Sequence, residues 1–323
     1  MSTIDTPSQT SVTVAAGKPA VKTTSWWEIK WKEIKAQKHS YILMSPYMLL
    51  FAVFTVLPVV MSVIISFTYF NMLEFPRFIG WQNYSRLFLE DDVFLIAIKN
   101  TILFAVITGP LSYMACFVFA WIINDLRPKL RAVMTLIFYA PSISGNVYFL
   151  WQMIFSGDRY GIANGFLIKM GVLLDPIQWL KTEQYIMPII ILVQLWLSLG
   201  TGFLAFIAGL QTVDKTLYEA GAVDGIKNRW QELWYITLPS MKPQLMFGAV
   251  IQITSSLAIA DVSIYLAGFP SVNYAAETIV THLIDFGTIR FEMGYASAIA
   301  TVLFTLMVGT NLVVQRLLRR VGE

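Results

Sequence analysis

Uncharged polar side chains recur at helical spacing inside two long apolar segments, near residues 185–210 and 243–266. They are Gln194, Ser198 and Thr201 in the first segment, and Gln252, Ser255 and Ser256 in the second. The spacing places each set on one face of a helix. Amides and hydroxyls donate and accept hydrogen bonds without carrying charge, so these faces suit a hydroxyl-rich solute. The alternative is that the same groups bridge neighbouring membrane helices.

A further polar cluster follows Pro141 in another apolar segment, and its residues are Ser142, Ser144, Gly145 and Asn146. Proline bends a helix because it removes a backbone hydrogen bond. Polar residues at membrane depth face a neighbour or a water-filled cavity. The sequence therefore predicts a kink toward a cavity, with Asn146 as a candidate on the solute path.

Asp261 is the only acid well inside an apolar segment. A charged residue at the centre of a spanning helix costs about 2.5–3.5 kcal/mol on insertion scales, so it needs compensation. Three arrangements would supply it: a helix cap, a cationic partner such as Arg290, or a wet vestibule near the outer end of the segment.

Composition requires a membrane protein. The chain is 56% hydrophobic and 13% charged, against about 25% charged residues in a typical soluble domain. A helix needs about 20 apolar residues to cross a bilayer. Six segments of this length predict an all-α protein with six transmembrane helices, and they lie near residues 42–70, 94–123, 132–155, 185–210, 243–266 and 293–315.

Lysine and arginine predict the orientation, because they concentrate on the cytoplasmic side of membrane proteins. Sixteen of the 23 lie in the N-terminal tail, in the loops after the second and fourth segments, and at the C-terminus. Both termini and the loop 212–240 should therefore be cytoplasmic. The basic residues are spread over membrane flanks instead of one folded face, so the net charge of +3 indicates no nucleic-acid partner.

The N-terminal region divides in two by composition. Residues 1–25 are rich in Ser, Thr and Ala and predict a disordered cytoplasmic tail rather than a signal peptide. Residues 26–40 alternate bulky apolar residues with lysines at helical spacing, which predicts an amphipathic helix lying at the membrane interface. A solvated basic linker is the alternative. Residues 41–320 form the predicted membrane domain.

The polar loop 212–240 predicts a helix, a sharp turn and a second helix. Residues 216–219 have the form of a capping box, which places a helix start near Leu217. Gly225 suits the left-handed geometry that ends a helix, and Asn228 with Gln231 three residues later suits the start of another. Gly221 is expected on an outward-facing surface of the first helix.

This loop resembles the cytoplasmic EAA loop of permease subunits in bacterial ATP-binding-cassette (ABC) importers, and more closely that of the carbohydrate-uptake branch. The residues that agree are Glu219, Ala220, Asp224, Gly225, Ile236, Leu238 and Pro239. The resemblance extends over most of residues 41–320, including the runs 138–141 and 294–299. It implies a type I ABC importer permease fold in the bacterial cytoplasmic (inner) membrane.

The resemblance also implies partners and roles. The expected partners are a second homologous permease, two ABC ATPase subunits, an extracytoplasmic solute-binding protein and a carbohydrate substrate. The residues expected to couple to the ATPase are Leu217, Glu219, Ala220, Gly221, Asp224 and Gly225. The sugar is expected mid-membrane, against side chains that flank the loop by one helix length: Gln194, Leu197, Ser198 and Thr201 before it, and Gln252, Ser255 and Ser256 after it.

No catalytic site or metal site is predicted. The sequence lacks the Gly-x-x-x-x-Gly-Lys-Ser/Thr run that cradles phosphate, so ATP and Mg²⁺ are expected on the partner ATPase subunits. His39 and His282 fall on opposite sides of the predicted topology, and Cys116 is the only cysteine.

Three functions remain open. The resemblance favours a permease subunit that forms half of an ATP-driven pathway for a carbohydrate, and its branch of the family favours an oligosaccharide over a monosaccharide. An acidic oligosaccharide remains open, since Arg159, Lys169 and Arg290 lie on the predicted outer side. The alternatives are a secondary carrier driven by an ion gradient, for which only Asp261 provides an intramembrane relay group, and a channel or membrane scaffold.

Overall fold

The computed structural model of the chain describes residues 30, 31, 35, 37–145 and 147–320, the last three without their side chains. The predicted tail 1–25, most of the predicted interfacial helix 26–40, and Asn146 therefore lie outside the described residues. The chain divides into two compact units, Met1–Pro58 and Val59–Glu323. The described part of the first unit is mainly helical, and the second unit holds the candidate functional site.

Most described residues are helical. In chain order the helices are α1 (Lys38–Ile65), α2 (Gln82–Leu89), α3 (Asp92–Asn124), α4 (Pro128–Ile143), α5 (Val147–Ile154), α6 (Ile162–Lys169), α7 (Glu183–Leu197), α8 (Thr201–Thr212), α9 (Lys215–Val223), α10 (Arg229–Glu232, continued by Leu233–Thr237 and Leu238–Ser240), α11 (Lys242–Leu257), α12 (Asp261–Ala267), α13 (Ile279–Ile289) and α14 (Met293–Arg320). Two short strands, β1 (Thr68–Tyr69) and β2 (Arg77–Phe78), pair antiparallel.

Five helical stretches are long and apolar enough to span a membrane: Lys38–Ile65, Asp92–Asn124, Glu183–Thr212, Lys242–Ala267 and Met293–Leu317. They correspond to five of the six predicted segments. The third predicted segment is a pair of helices, α4 and α5, bent by 84° where the sequence predicted a kink. The described residues thus contain five candidate spans, or six if the bent pair crosses as one.

Two of the spans are interrupted, and at each interruption a side chain from another segment donates a hydrogen bond to a backbone carbonyl. The chain leaves helical geometry between α7 and α8, where Gln252 Nε2 donates to the Ser198 carbonyl at 3.2 Å. It does so again between α11 and α12, where Thr278 Oγ1 donates to the Ile259 carbonyl at 2.7 Å. Backbone polar groups at membrane depth need such partners because hydrocarbon offers none.

Helix α3 lies at the centre of the second unit and packs along both α8 and α11. Phe117 of α3 and Phe206 of α8 meet edge to face, with ring centroids 5.7 Å apart. Farther along α3, Phe104 joins a second buried cluster with Ile190 of α7 and Val262 of α12. The broken helices are therefore held on both sides of their breaks by one continuous helix.

Asp91 ties the start of α3 to two later helices. Its carboxylate accepts hydrogen bonds from the Phe94 amide at 2.9 Å and from the Tyr295 hydroxyl at 2.7 Å, and it lies 2.9 Å from His282 Nε2. Burial raises the pKa of Asp91, but the hydrogen bonds outweigh burial and hold it at about 2. His282 is thus part of a structural network, which residue spacing alone did not reveal.

Candidate functional site

Three helix breaks converge on one polar cavity of about 340 Å³, called here the break cavity. The breaks lie between α4 and α5, α7 and α8, and α11 and α12. The polar side chains on the wall are Ser142, Ser144, Tyr148, Gln194, Ser255 and Asp261. Breaks expose backbone groups and free side chains from helix packing, so they provide hydrogen-bonding surface at membrane depth.

The structure brings together some of the residues predicted for the solute path and separates others. Gln194, Leu197 and Ser255 line the break cavity. Ser142 and Ser144 line it as well, as expected of a polar cluster after a kink. Asn146 lies outside the described residues.

The other four predicted path residues lie elsewhere. Thr201 is exposed at the first turn of α8. Ser198 donates its hydroxyl to the Leu195 carbonyl at 2.6 Å, whereas Gln252 and Ser256 are each only 5% exposed. These three side chains serve the backbone and the packing of helices, as the bridging alternative anticipated.

Gln252 and Ser256 are fitted closely against α3 and α8. Gln252 Nε2 donates to Cys116 Sγ at 3.2 Å as well as to the Ser198 carbonyl. Ser256 donates to the Ile253 carbonyl at 2.9 Å, and its Oγ lies 3.3 Å from where a Cβ on Gly109 would stand. Helical spacing placed both residues on the right helix, but it did not distinguish the face toward the break cavity from the face toward α3 and α8.

Asp261 is an exposed wall residue of the break cavity. The expectation that Arg290 is its partner is wrong, because Arg290 pairs with Asp285 at 2.7 Å. In the described part of the chain no ion pair involves Asp261. A polar cavity, rather than a salt bridge, is therefore the environment of this acid.

The loop between α8 and α11 folds as two short helices around a sharp turn, as predicted. The cap of the first helix is not Thr216, however. Helix α9 begins at Lys215, and the Asp214 carboxylate accepts from the Thr216 amide at 2.9 Å. Gly225 has a φ of +95°, the left-handed geometry that favours glycine. Asn228 caps α10 by accepting from the Gln231 amide at 2.9 Å.

Gly221 is buried between the two helices of the loop, not on an outward surface. A Cβ there would lie 2.7 Å from Ile236 Cδ1 and 3.0 Å from Ile226 Cδ1. Tyr218, one turn earlier, meets Thr237 through a 2.9 Å hydrogen bond between their hydroxyls. The face that joins α9 to α10 therefore includes Tyr218 and Gly221.

The opposite face of α9 is solvent-exposed and mixed in character. Its residues recur at i, i+3, i+4 and i+7 and are Thr216, Glu219, Ala220 and Val223. Val223 is 88% exposed, and Leu217 on the flank is 46% exposed. Apolar side chains exposed on a short helix are typical of a surface that meets a partner. Asp224, at the helix end, is exposed beside them.

Helix α10 is fastened to the end of α3 by a contact that the sequence did not indicate. Arg229 forms an ion pair with Asp125 and lies 4.7 Å above the ring of Trp121. Trp230 meets the same ring, with centroids 5.2 Å apart. We call these four residues the clasp. Through it, α9 and α10 form one unit with the central helix.

Metal ligands do not cluster in the described part of the chain, where no group of three His, Cys, Asp or Glu side chains is placed to hold an ion. The sole cysteine, Cys116, is buried. Its thiol donates to the Ser198 carbonyl at 3.3 Å, which makes it part of the packing around the break.

Broken spans around a polar cavity, with a helical loop between two spans, define a membrane transport subunit. Residues 124–323 match the family of binding-protein-dependent transport system inner membrane components, and the chain belongs to this family. It is therefore a multi-pass inner-membrane protein and a non-enzymatic component of its transport system.

Similar proteins indicate the kind of transport system to which the chain belongs. The chain is 31% identical to a probable ABC transporter permease protein, YesP, of Bacillus subtilis, covering 83% of this chain and 86% of the relative. It is 28% identical to the arabinooligosaccharides transport system permease protein AraP of the same species, covering 91% and 92%. A chain from the crystal structure of a bacterial ABC transporter that imports the acidic polysaccharide alginate has a TM-score of 0.72 and 25% identity, covering 92% of this chain and all of that one.

Proposed function

We propose that this chain is one permease subunit of an ATP-driven ABC importer and forms half of the translocation pathway for a carbohydrate, specifically an oligosaccharide. The observation that carries the proposal is the break cavity, whose wall presents hydroxyl, amide and carboxylate groups beside the breaks in the helices. These groups suit a solute covered in hydroxyls. The relatives support the class, because AraP is named for arabinooligosaccharides and the structural neighbour for a polysaccharide.

The complete importer contains, in this proposal, a second homologous permease, two ABC ATPase subunits and an extracytoplasmic solute-binding protein. The family description, which makes transport dependent on a binding protein, supports the last of these. ATP and Mg²⁺ reside on the ATPase subunits, and this chain binds no cofactor of its own. Family membership favours this arrangement over a carrier driven by an ion gradient.

Coupling passes through the exposed face of α9. Leu217, Glu219 and Ala220 lie where a groove of the ATPase would receive the helix, with Asp224 at its end. Gly221 and Gly225 act differently, since they set the packing and the turn behind that face. ATP-driven closure moves the docked helix, and the clasp passes the movement to α3. The ATPase biases the permease only if docking differs in free energy between the two states.

The test is uptake by the importer reconstituted in proteoliposomes, with this chain, its permease and ATPase partners, and the binding protein. We expect uptake of oligosaccharide that needs internal ATP, is abolished by vanadate, and persists when ionophores collapse ion gradients. Uptake that vanadate spares and ionophores abolish would establish the carrier alternative instead. Leakage of solute without ATP would indicate a channel.

A further inference from the structure

We infer that Asp261 contacts the substrate in the break cavity and restricts this half of the pathway to carbohydrates without acidic groups. The inference rests on the proposed function and deepens it by naming the substrate class. Its basis is that Asp261 is the one charged side chain among the described residues of the cavity wall. A carboxylate at that position accepts hydrogen bonds from sugar hydroxyls.

The surroundings of Asp261 leave its carboxylate available to a ligand. Asp261 is exposed, and within the described residues no cation pairs with it. Arg290, the nearest candidate from the sequence, is engaged by Asp285. The other polar groups of the wall are hydroxyls and one amide, which can donate to a substrate as well as accept. The wall therefore offers hydroxyl and amide groups, and Asp261 is its one acidic side chain among the described residues.

A second cavity continues the path along the same two helices. It has a volume of about 390 Å³, and Gln152 and Tyr265 lie on its wall, one helical turn beyond Tyr148 and Asp261. Tyr148 and Tyr265 stack with ring centroids 4.9 Å apart, between the two cavities. The positive charge found along this path, Lys181, lines the second cavity and not the first.

This distribution of charge disfavours an acidic substrate. A uronic acid carboxylate in the break cavity would lie beside the carboxylate of Asp261, and like charges in close proximity repel each other. Among the described residues of the cavity wall, no cation is present to offset this repulsion. The chain thus differs in expected cargo from the alginate importer that shares its fold, and it fits neutral oligosaccharides.

The experiment uses the same reconstituted importer and three probes of equal length: a neutral xylo-oligosaccharide, a galacturonate oligosaccharide and a deacetylated chitin oligosaccharide. Wild type is compared with Asp261→Asn, and with Asp175→Asn as a control at an exposed acid outside both cavities. One binding protein delivers every probe. Its own preference therefore cancels when the uptake ratio of two probes is compared between variant and wild type.

We expect Asp261→Asn to raise the ratio of galacturonate uptake to neutral uptake by about tenfold or more. The same variant should lower the uptake of the amino sugar relative to the neutral probe. Asp175→Asn should change neither ratio. Unchanged ratios in a correctly assembled Asp261→Asn importer would overturn the inference and leave the proposed function intact. Absence of uptake of every probe by wild type would instead contradict the proposed function.

A second variant covers the case in which Asp261→Asn fails to assemble. Gln194→Lys places a positive charge on the same wall and should also raise the galacturonate ratio. If this variant assembles and its ratio equals that of wild type, the charge of the break cavity does not select the substrate, and the inference is wrong.

Discussion

A polar side chain in a spanning helix satisfies its hydrogen-bonding groups either on protein backbone or in a wet cavity, and two glutamines of this chain illustrate both cases. Gln252 is buried on α11 and donates a hydrogen bond to the Ser198 carbonyl at the break. Gln194 is on α7 and lines the break cavity. The same residue type therefore serves structure at one position, and at the other we propose that it serves the substrate.

Replacing each glutamine by alanine separates these roles. Gln194→Ala should lower oligosaccharide uptake about tenfold, the equivalent of one lost hydrogen bond, and leave the thermal midpoint of the purified complex unchanged. Gln252→Ala should lower that midpoint, because it removes a hydrogen bond to the Ser198 carbonyl and leaves a gap where a buried side chain was packed. Uptake assays and thermal unfolding of the two variants check this. A loss of stability in Gln194→Ala would return that residue to a structural role.

At the scale of elements, α9 and α10 act as one unit because a glycine allows them to touch. The packing of Gly221 against Ile226 and Ile236, together with the positive φ of Gly225, fixes the angle between the two helices. The clasp then attaches the unit to α3. The proposed docking surface would transmit movement only if its support is rigid, and these contacts supply the support.

Two leucine substitutions on neighbouring residues of α9 test this arrangement. Gly221→Leu should force α9 away from α10, since even a Cβ there lies 2.7 Å from Ile236 Cδ1. Ala220→Leu, on the exposed face, should leave the loop folded and weaken docking alone. We expect both variants to lose uptake. We also expect the ATPase subunits to dissociate from both when the complexes are purified. Only Gly221→Leu should make the loop sensitive to limited proteolysis. Equal proteolysis of the two would contradict the buried position of Gly221.

At the scale of the whole molecule, hydropathy and charge together define how the chain is threaded through the bilayer. Five spans and a bent pair are separated by loops, and 16 of 23 lysines and arginines fall on one predicted side. If the bent pair crosses once, both termini lie on the same side of the membrane. From the enrichment of cationic residues on the cytoplasmic side of membrane proteins, we propose that the loop 212–240 is cytoplasmic.

Cysteine labelling in intact cells checks this topology, with Cys116 buried and therefore silent. A membrane-impermeant reagent should label single cysteines introduced near Asp92, Asp175 or Val272. It should label those near Lys129 or Asn228, or at the C-terminal position 320, only after the membrane is permeabilised. Labelling of the Asn228 site in intact cells would reverse the proposed orientation.

The sequence by itself determined the elements that depend on local chemistry. Long apolar runs must be helices that cross lipid, Gly225 must turn, and Asn228 must cap, because each outcome depends on residues a few positions apart. The kink after Pro141 belongs to the same class. The capping residue of α9 was mistaken because Asp214 and Thr216 both satisfy the local rule.

Only the tertiary structure decided which face of each helix meets which neighbour. Helical spacing placed Gln252 and Ser255 three residues apart on α11, but the packing of α3 and α8 buries the first and leaves the second on the cavity wall. The tertiary structure likewise turned Gly221 toward α10 and brought Asp125 into contact with Arg229, which lies 104 positions further along the chain. Such contacts join residues distant in sequence, and the spacing within one helix carries no information about them.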